Sequence, residues 1–248
     1  MLELSTLHFR YEPYPIGLGR PAMDPDLYQQ LVASFPPLEL FAELPKVGNK
    51  RVLSEKFNAR AYHDFLKRAP LWGEFHRYVK SDRFIASAIE GLRENDIDLG
   101  LRFPITFGRR LETTWRNLRR ARWPRGDVAL RARFEFSALP AQGGSVTPHT
   151  DAPGKLITLV VSMEKSWDKA VGGGTDVIRP LDARRSFNWL NRKLEFDEIE
   201  VLDTLEFEPN QVVVFTKTFN SWHCVRPMRG SDPALMRRTL TINIEEDD

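Results

Sequence analysis

The sequence predicts a mainly β fold with a helical layer at its N-terminal side. From about residue 130 onward, polar and apolar residues alternate with period two, and clusters of Gly, Pro, Asn and Asp divide the alternation into seven or eight short segments. Before residue 100, apolar residues recur at helical spacing instead. Short strands separated by turns are typical of a β-sandwich or barrel. We therefore expect a single domain, residues 1–248, with mostly helical support up to about residue 125 and a β core over 126–248.

The composition fits an ordinary globular protein and indicates no particular partner. The chain has 248 residues, of which 42% are hydrophobic and 28% charged, with a net charge of +2. Cys224 is the only cysteine, so no internal disulfide can form, which fits a reducing compartment. No apolar run approaches the about 20 residues of a membrane span, and the N-terminus lacks the pattern of a secretory signal. We expect a cytoplasmic protein without a membrane partner.

The N-terminal half predicts several amphipathic helices. In MDPDLYQQLVASF, Asp24 is placed to cap a helix that has Pro25 at its first position. Residues 61–92 carry apolar side chains at helical spacing and predict two or three further helices. Residues 36–56 contain prolines and a glycine, and we interpret them as a loop with short extended pieces. The locally basic stretch 109–133 includes ETTWRNLRRARW, which predicts a helix that ends at WPRGD.

The C-terminal half supplies the predicted strands. Turn signals such as PAQGG, DAPG, VGGG, EPNQ and RGSDP separate them. The strand segments, in chain order, are RARFEFSAL, LITLVVSM, GTDVIRP, TLEFE, QVVVFT, SWHCVRP and RRTLTINIE.

A candidate metal site comes from two stretches of the β region. In PHTDAPGKLITLVVS, His149 and Asp151 are two residues apart, so a strand would place both on one face. His223, in FNSWHCVRP, is the other histidine of the β region. Two histidines and one carboxylate with open positions left over suit non-haem Fe(II), whereas a structural zinc site would use four ligands, usually including thiolates. Cys224 would point to the opposite face and is a poor ligand; a plain surface pair of His149 and Asp151 is the alternative.

The last predicted strand carries a candidate carboxylate receptor. In RRTLTINIE, Arg237, Thr239, Thr241 and Asn243 share one face. A buried arginine beside a hydroxyl group recognises a carboxylate specifically, because the guanidinium fork matches both carboxylate oxygens. Arg238 is adjacent and is the alternative; we favour Arg237 because it lies on the face of Thr239.

The order of HTD, a distant histidine and R-x-T on the last long strand resembles the Fe(II)/2-oxoglutarate-dependent dioxygenases, in particular their prolyl-hydroxylase-like branch. The resemblance covers about residues 130–246. KLITLVVSMEKSW, VGGGTDVIRP and EPNQVVVFTKTFNSWHCVRPM are further segments that look like that family. The resemblance implies a double-stranded β-helix, or jelly roll. It also implies an enzyme that consumes 2-oxoglutarate and O2, hydroxylates a C–H bond and releases succinate and CO2.

The resemblance also assigns roles to residues. His149, Asp151 and His223 would bind Fe(II), and Arg237 with Thr239 would hold the distal carboxylate of 2-oxoglutarate. In one respect the sequence departs from the family: Ser162 stands about where many relatives have a tyrosine that helps to bind that carboxylate. Thr158 is the alternative hydroxyl group for this role. By strand parity, Phe136, Thr241 and Asn243 are expected to face the pocket.

The substrate does not follow from these motifs. We expect a small molecule first (an amino acid, a sugar or a secondary metabolite), and the arginines of residues 109–133 allow it to be anionic. A protein side chain is the second candidate. Nucleic acid is not expected, because Asn243 stands where the AlkB-like demethylases have a second arginine. Residues 1–125 and 182–198 are the expected substrate selectors. A cupin-like metal-binding protein and a non-catalytic jelly roll are the alternatives from other classes.

Overall fold

A computed structural model of the chain describes residues 1–45, 48–99, 129–188 and 190–246. The predicted helix in ETTWRNLRRARW and most of the basic stretch 109–133 lie outside these residues. So does residue 125, the predicted limit between the helical support and the β core. These three predictions therefore remain predictions.

The predicted helices of the N-terminal half are present. Asp24 caps the first helix, since its Oδ1 accepts from the backbone N–H groups of Asp26 and Leu27 at 3.1 and 3.0 Å, and Pro25 begins that helix as predicted. The region that predicted two or three further helices contains three. The helices are α1 (Pro25–Ala33), α2 (Glu55–Arg68), α3 (Pro70–Val79) and α4 (Asp82–Arg93).

Twelve strands occur among the described residues. Six of the seven predicted strand segments contain a strand at the expected place. Of TLEFE, only Thr204 and Leu205 belong to a strand, which begins at Ile199. The strands are β1 (Leu7–Arg10), β2 (Ile16–Gly19), β3 (Ala42–Leu44), β4 (Lys50–Ser54), β5 (Leu130–Pro140), β6 (Val146–His149), β7 (Lys155–Ser162), β8 (Thr175–Pro180), β9 (Ile199–Leu205), β10 (Val212–Thr216), β11 (His223–Val225) and β12 (Met236–Glu246).

The strands form two antiparallel sheets. The larger sheet has the order β1-β2-β10-β7-β12-β5-β4-β3 and the smaller one the order β6-β11-β8-β9. From β5 onward, successive strands contribute four to the centre of the larger sheet and four to the smaller one. This alternation between facing sheets is a double-stranded β-helix, so the predicted fold class is confirmed.

The N-terminal part adds strands as well as helices. β1 and β2 extend one edge of the larger sheet, beyond β10, and β3 and β4 extend the other edge, beyond β5. These four strands have three to five residues each. β3 and β4 are the short extended pieces expected in residues 36–56, whereas β1 and β2 were not predicted. Such short strands show little alternation, and pairing with longer neighbours stabilises them.

The helices cover the outer face of the larger sheet with an aromatic cluster. Phe136 of β5 packs edge-on against Trp72 of α3, with ring centroids 4.8 Å apart, and also contacts Tyr62 and Phe65 of α2. The prediction that Phe136 faces the pocket is therefore wrong. The cross-strand partner of Thr241 is Glu135, not Phe136. This pairing register depends on long-range contacts that the sequence does not reveal.

The inner face of the larger sheet meets the smaller sheet. Val213 and Phe215 of β10 pack there against Val177 of β8, together with Tyr14 and Ile16. Buried polar residues share this face, among them Thr158 on β7 and Thr239 and Asn243 on β12. The space between the sheets is thus apolar on one side and polar on the other. Within the described residues, no helix has the length and apolar character needed to cross a membrane.

Candidate metal centre

His149, Asp151 and His223 lie together between the two sheets. His149 is the last residue of β6 and His223 the first of β11, and the two are cross-strand partners with ring centroids 4.5 Å apart. Asp151 follows β6 instead of lying on it. One potential ligand atom from each of the three residues lies within 4.8 Å of the others. The structure therefore brings together all three residues of the predicted metal site.

Backbone hydrogen bonds set the orientation of both imidazoles. His149 Nδ1 lies 2.8 Å from the carbonyl oxygen of Thr147, and His223 Nδ1 lies 2.9 Å from that of Ser221. A carbonyl oxygen only accepts, so each Nδ1 carries the proton, and each Nε2 keeps a free lone pair. Burial, with a smaller contribution from His223, lowers the pKa of His149 to about 3, and burial also lowers the pKa of His223. Both rings are thus neutral near pH 7, as metal ligation requires.

Both carboxylate oxygens of Asp151 have donors. Lys155 Nζ donates to Oδ1 at 2.5 Å, and Thr158 Oγ1 donates to Oδ2 at 2.6 Å. Burial alone would raise the pKa of Asp151, but the Lys155 ammonium and its hydrogen bond to the carboxylate oppose this effect, and the pKa lies below its ordinary value. The carboxylate is therefore ionised and held in one orientation. Two neutral imidazoles and one fixed carboxylate are a donor set that fits Fe(II).

A second hydrogen bond orients Thr158. Its Oγ1 lies 3.0 Å from the side-chain oxygen of Asn243, a residue without solvent exposure. A hydroxyl group has one proton, and the shorter contact to the charged Asp151 takes it. We therefore assign the Asn243 amide in the reversed orientation, with Nδ2 donating to Thr158. This assignment also gives a partner to Asn243 Nδ2, which is otherwise buried without one.

Arg237 and Arg238, which the sequence left as alternatives, have different surroundings. Arg238 donates to both oxygens of Glu164, at 2.6 and 2.9 Å, so its guanidinium fork is occupied. Arg237 is buried, donates from Nε to the carbonyl oxygen of Gly173 at 2.5 Å, and stacks over the ring of Phe207 with its guanidinium carbon 4.4 Å from the centroid. It forms no ion pair with any acidic residue that the structure describes.

Burial without a carboxylate partner is unfavourable for a guanidinium group. It lowers the pKa of Arg237 to about 10. Thr239 is also buried and lies on the face of Arg237, opposite Ser162 of β7 and Ser137 of β5. Arg237 therefore has the free fork that an external carboxylate needs. Thr158 does not supply the missing tyrosine hydroxyl, because its own hydroxyl donates to Asp151.

Two lysines near the three candidate ligands were not predicted. Lys155 binds Asp151, and Lys217, just after β10, donates to Thr150 Oγ1 at 2.8 Å. Both lie in segments quoted for the family resemblance, but no role was assigned to either of them. Their approach depends on the turn after Asp151 and on the pairing of β10 with β7. The sequence contained no signal for them beyond their nearness to predicted strand ends.

Comparisons with known proteins bear on the fold. No family model and no curated protein matches the sequence. Among solved structures, a prolyl-4-hydroxylase from Pseudomonas putida is 14% identical, with 94% of this chain and 93% of that chain covered and a TM-score of 0.50. The non-haem α-ketoglutarate-dependent epimerase SnoN from nogalamycin biosynthesis is 12% identical, with 93% and 78% covered and a TM-score of 0.50. At these identities the likeness shows the fold, and this chain has the double-stranded β-helix fold of the Fe(II)/2-oxoglutarate oxygenases.

Proposed function

We propose that this protein is an Fe(II)- and 2-oxoglutarate-dependent dioxygenase that hydroxylates a C–H bond of a small molecule. The observation that carries the proposal is the cluster of His149, Asp151 and His223, whose ligand atoms lie within 4.8 Å of one another in a fold used by such enzymes. Arg237 adds a buried guanidinium group without a described acidic partner. A surface pair or an inert jelly roll has no need for either feature.

In this proposal the three clustered residues hold Fe(II) through His149 Nε2, His223 Nε2 and the Asp151 carboxylate. When bound, Fe(II) supplies the oxidising chemistry that uses O2 and 2-oxoglutarate and yields succinate, CO2 and a hydroxylated product. The protein orients its ligands in advance, through the carbonyl oxygens of Thr147 and Ser221 and the hydroxyl of Thr158.

Arg237 and Thr239 hold the distal carboxylate of 2-oxoglutarate in this proposal. The guanidinium fork offers two parallel donors, and the Thr239 hydroxyl offers one more on the same face. The carbonyl oxygen of Gly173 fixes Nε of Arg237 and so leaves the two terminal nitrogens for the ligand. Burial of this pair in low dielectric makes the interaction with a carboxylate stronger than it would be at the surface.

Apolar side chains keep bulk water from the centre. The ring of Phe215 lies 4.2 Å, centroid to centroid, from that of His223, and it packs with Val177 and Val213 between the sheets. A dry wall beside the ligands protects a reactive oxidant from side reactions.

The class of substrate is the less constrained part of the proposal. We favour a small molecule over a protein side chain, and the two structural neighbours reflect both options: one is a prolyl-4-hydroxylase and the other an epimerase from nogalamycin biosynthesis. A cupin-like metal-binding role is the alternative from another class, and it would not require Arg237. We also propose a cytoplasmic location, on the single, buried Cys224.

The test is the visible spectrum of the purified protein after addition of Fe(II) and then 2-oxoglutarate without oxygen. A weak charge-transfer band reports a keto acid chelated to Fe(II). We expect the band in the wild type, no band in His149→Ala, and a much higher requirement for 2-oxoglutarate in Arg237→Ala.

Arg238→Ala is the matched control. It removes a neighbouring guanidinium group that binds Glu164, so we expect a lower melting temperature with an unchanged requirement for 2-oxoglutarate. Bound iron without a band in the wild type would move a cupin-like role to first place. Equal 2-oxoglutarate requirements for the two arginine variants would refute the assignment of Arg237.

A further inference from the structure

Two ammonium groups stand beside the candidate metal ligands. Lys155 Nζ contacts Asp151 Oδ1 at 2.5 Å, and its side chain is 20% exposed. Lys217 Nζ contacts the hydroxyl of Thr150, the residue between His149 and Asp151, at 2.8 Å. The two lysines therefore contact neighbouring residues, Asp151 and Thr150, from different strands, since Lys155 begins β7 and Lys217 follows β10.

Among the residues that the structure describes, neither lysine has a carboxylate partner other than Asp151. Lys217 is half-buried and forms no ion pair with the acidic residues that the structure describes; its Nζ contacts the neutral hydroxyl of Thr150. Glu245 is the cross-strand neighbour of Lys155, but its carboxylate lies 3.1 Å from Arg131 and 3.8 Å from Arg133. A half-buried ammonium group without a counter-ion is unfavourable unless a ligand supplies the negative charge.

In the proposed complex, positive charges exceed negative charges beside the metal. A divalent metal would carry two positive charges. The carboxylate of Asp151, which also binds Lys155, would offset one of them, and one carboxylate of 2-oxoglutarate would offset the other. The other carboxylate would be taken up by Arg237. Two positive charges would remain beside the candidate ligands, that of Lys155 in contact with Asp151 and that of Lys217 in contact with Thr150.

We propose that the substrate of this enzyme carries an anionic group, a carboxylate or a phosphate, which Lys155 and Lys217 bind beside the metal. This inference rests on the proposed function, and it names the substrate class of the same site. The Thr150 hydroxyl group fixes the position of Lys217, because it accepts a hydrogen bond from Lys217 Nζ. The same hydroxyl oxygen also accepts from Asn188 Nδ2, at 3.0 Å. Lysine is suited to either anion, since its ammonium group acts as a compact point charge.

The experiment is calorimetric titration of the Zn(II)-loaded protein, first with 2-oxoglutarate and then with inorganic phosphate or propionate, at low ionic strength. Zn(II) is redox-inert, so binding is measured without turnover. We expect the wild type to bind at least one of the two anions, and the stronger of them indicates whether the substrate is a phosphate or a carboxylate. Binding should weaken as salt is added.

Lys155→Met and Lys217→Met keep the aliphatic length and remove the charge. We expect each to weaken anion binding roughly tenfold and the double variant to weaken it further, since each removes one charge-assisted contact. Lys67→Met, on the exposed side of α2, is the matched control and should bind like the wild type. Melting temperatures of all variants identify any that fail to fold.

The outcomes separate the two proposals. Equal anion affinities in the wild type and the double variant would mean that the anion binds the metal alone and would overturn the inference. Absence of anion binding in a wild type that binds 2-oxoglutarate would also overturn it, while leaving the proposed function intact. Failure to bind 2-oxoglutarate would count against the proposed function. In that case, the loss of phosphate binding in Lys217→Met, measured without 2-oxoglutarate, would still support an anion site at the two lysines.

Discussion

Replacing Gly173 by alanine should weaken 2-oxoglutarate binding through Arg237, although position 173 provides no side chain to the pocket. Gly173 has a φ of +88°, and a Cβ there would lie 2.9 Å from Met228 Sδ and 3.1 Å from Arg237 Cδ. Its carbonyl oxygen also accepts from Arg237 Nε. The methyl group therefore has to displace the side chain that is proposed to bind the distal carboxylate.

The neighbouring Gly172 separates this effect from backbone strain. It has a φ of +83°, but a Cβ there would meet nothing within 4 Å. Alanine at either position costs about 1–3 kcal/mol of stability for the unfavourable backbone conformation. Only Gly173→Ala adds overpacking, about 1–3 kcal/mol. Loss of a charge-assisted contact to the ligand is worth about 1.5–3 kcal/mol, or roughly a tenfold to hundredfold rise in the Kd of 2-oxoglutarate.

The assay is titration of 2-oxoglutarate into the anaerobic Fe(II)-loaded protein, at a temperature well below the melting point of both variants. We expect Gly172→Ala to bind like the wild type and Gly173→Ala to bind roughly tenfold or more weakly. The same Kd in both variants would refute the reasoning, because it would show that the ligand does not depend on the position of Arg237.

Two further predictions concern metal affinity and pH. Thr158→Val removes the hydroxyl group that donates to Asp151 but keeps the side-chain shape, so it should lower the affinity for Fe(II) or Mn(II) roughly tenfold to hundredfold. Thr158→Ser keeps the hydroxyl group and should bind the metal like the wild type. Identical metal Kd values in the two variants would contradict the role of the Thr158 hydroxyl group. His76, packed on Tyr62, has its pKa lowered to about 4 by burial, so between pH 6.5 and 4 the unfolded chain binds more protons than the folded one. The free energy of unfolding in urea should therefore fall by about 1–2 kcal/mol from pH 7 to 4.5, after allowance for partial exposure of His76. In His76→Phe this part of the pH dependence should be absent. If the free energy of unfolding changes equally with pH in the wild type and the variant, His76 is not the cause.

The strand pattern of the C-terminal half could be read from the sequence because β-structure has a local signature. Residues of β5, β7, β10 and β12 alternate in polarity or form short apolar runs bounded by turn residues, and each of these four predicted segments became a strand. Strands β1 and β2 were not predicted, whereas β3 and β4 lie in residues 36–56, where short extended pieces were expected. The conformation of these four strands is imposed by the edges that they extend, such as the pairing of β4 with β5, and not by their own residues.

Part of the candidate site could also be predicted from the sequence. His149, Asp151 and His223 were identified by residue type, spacing and order, and the structure places them together. Their role as metal ligands stays a prediction, as do the roles of Arg237 and Thr239. The placement of Phe136 was wrong because a strand's parity does not tell which of its two faces meets the helices.

The sequence by itself determined the fold class and the types and order of the candidate ligands, because turn residues and alternation are local properties of the chain. Only the tertiary structure distinguished the surroundings of Arg237 from those of Arg238, since Glu164, which binds Arg238, lies more than 70 residues away along the chain. It also brought Lys155 and Lys217 to the candidate ligands and linked Asn243 to Asp151 through Thr158. These contacts join strands that are distant in sequence, and their electrostatic energy depends on distance and burial, which residue order does not encode.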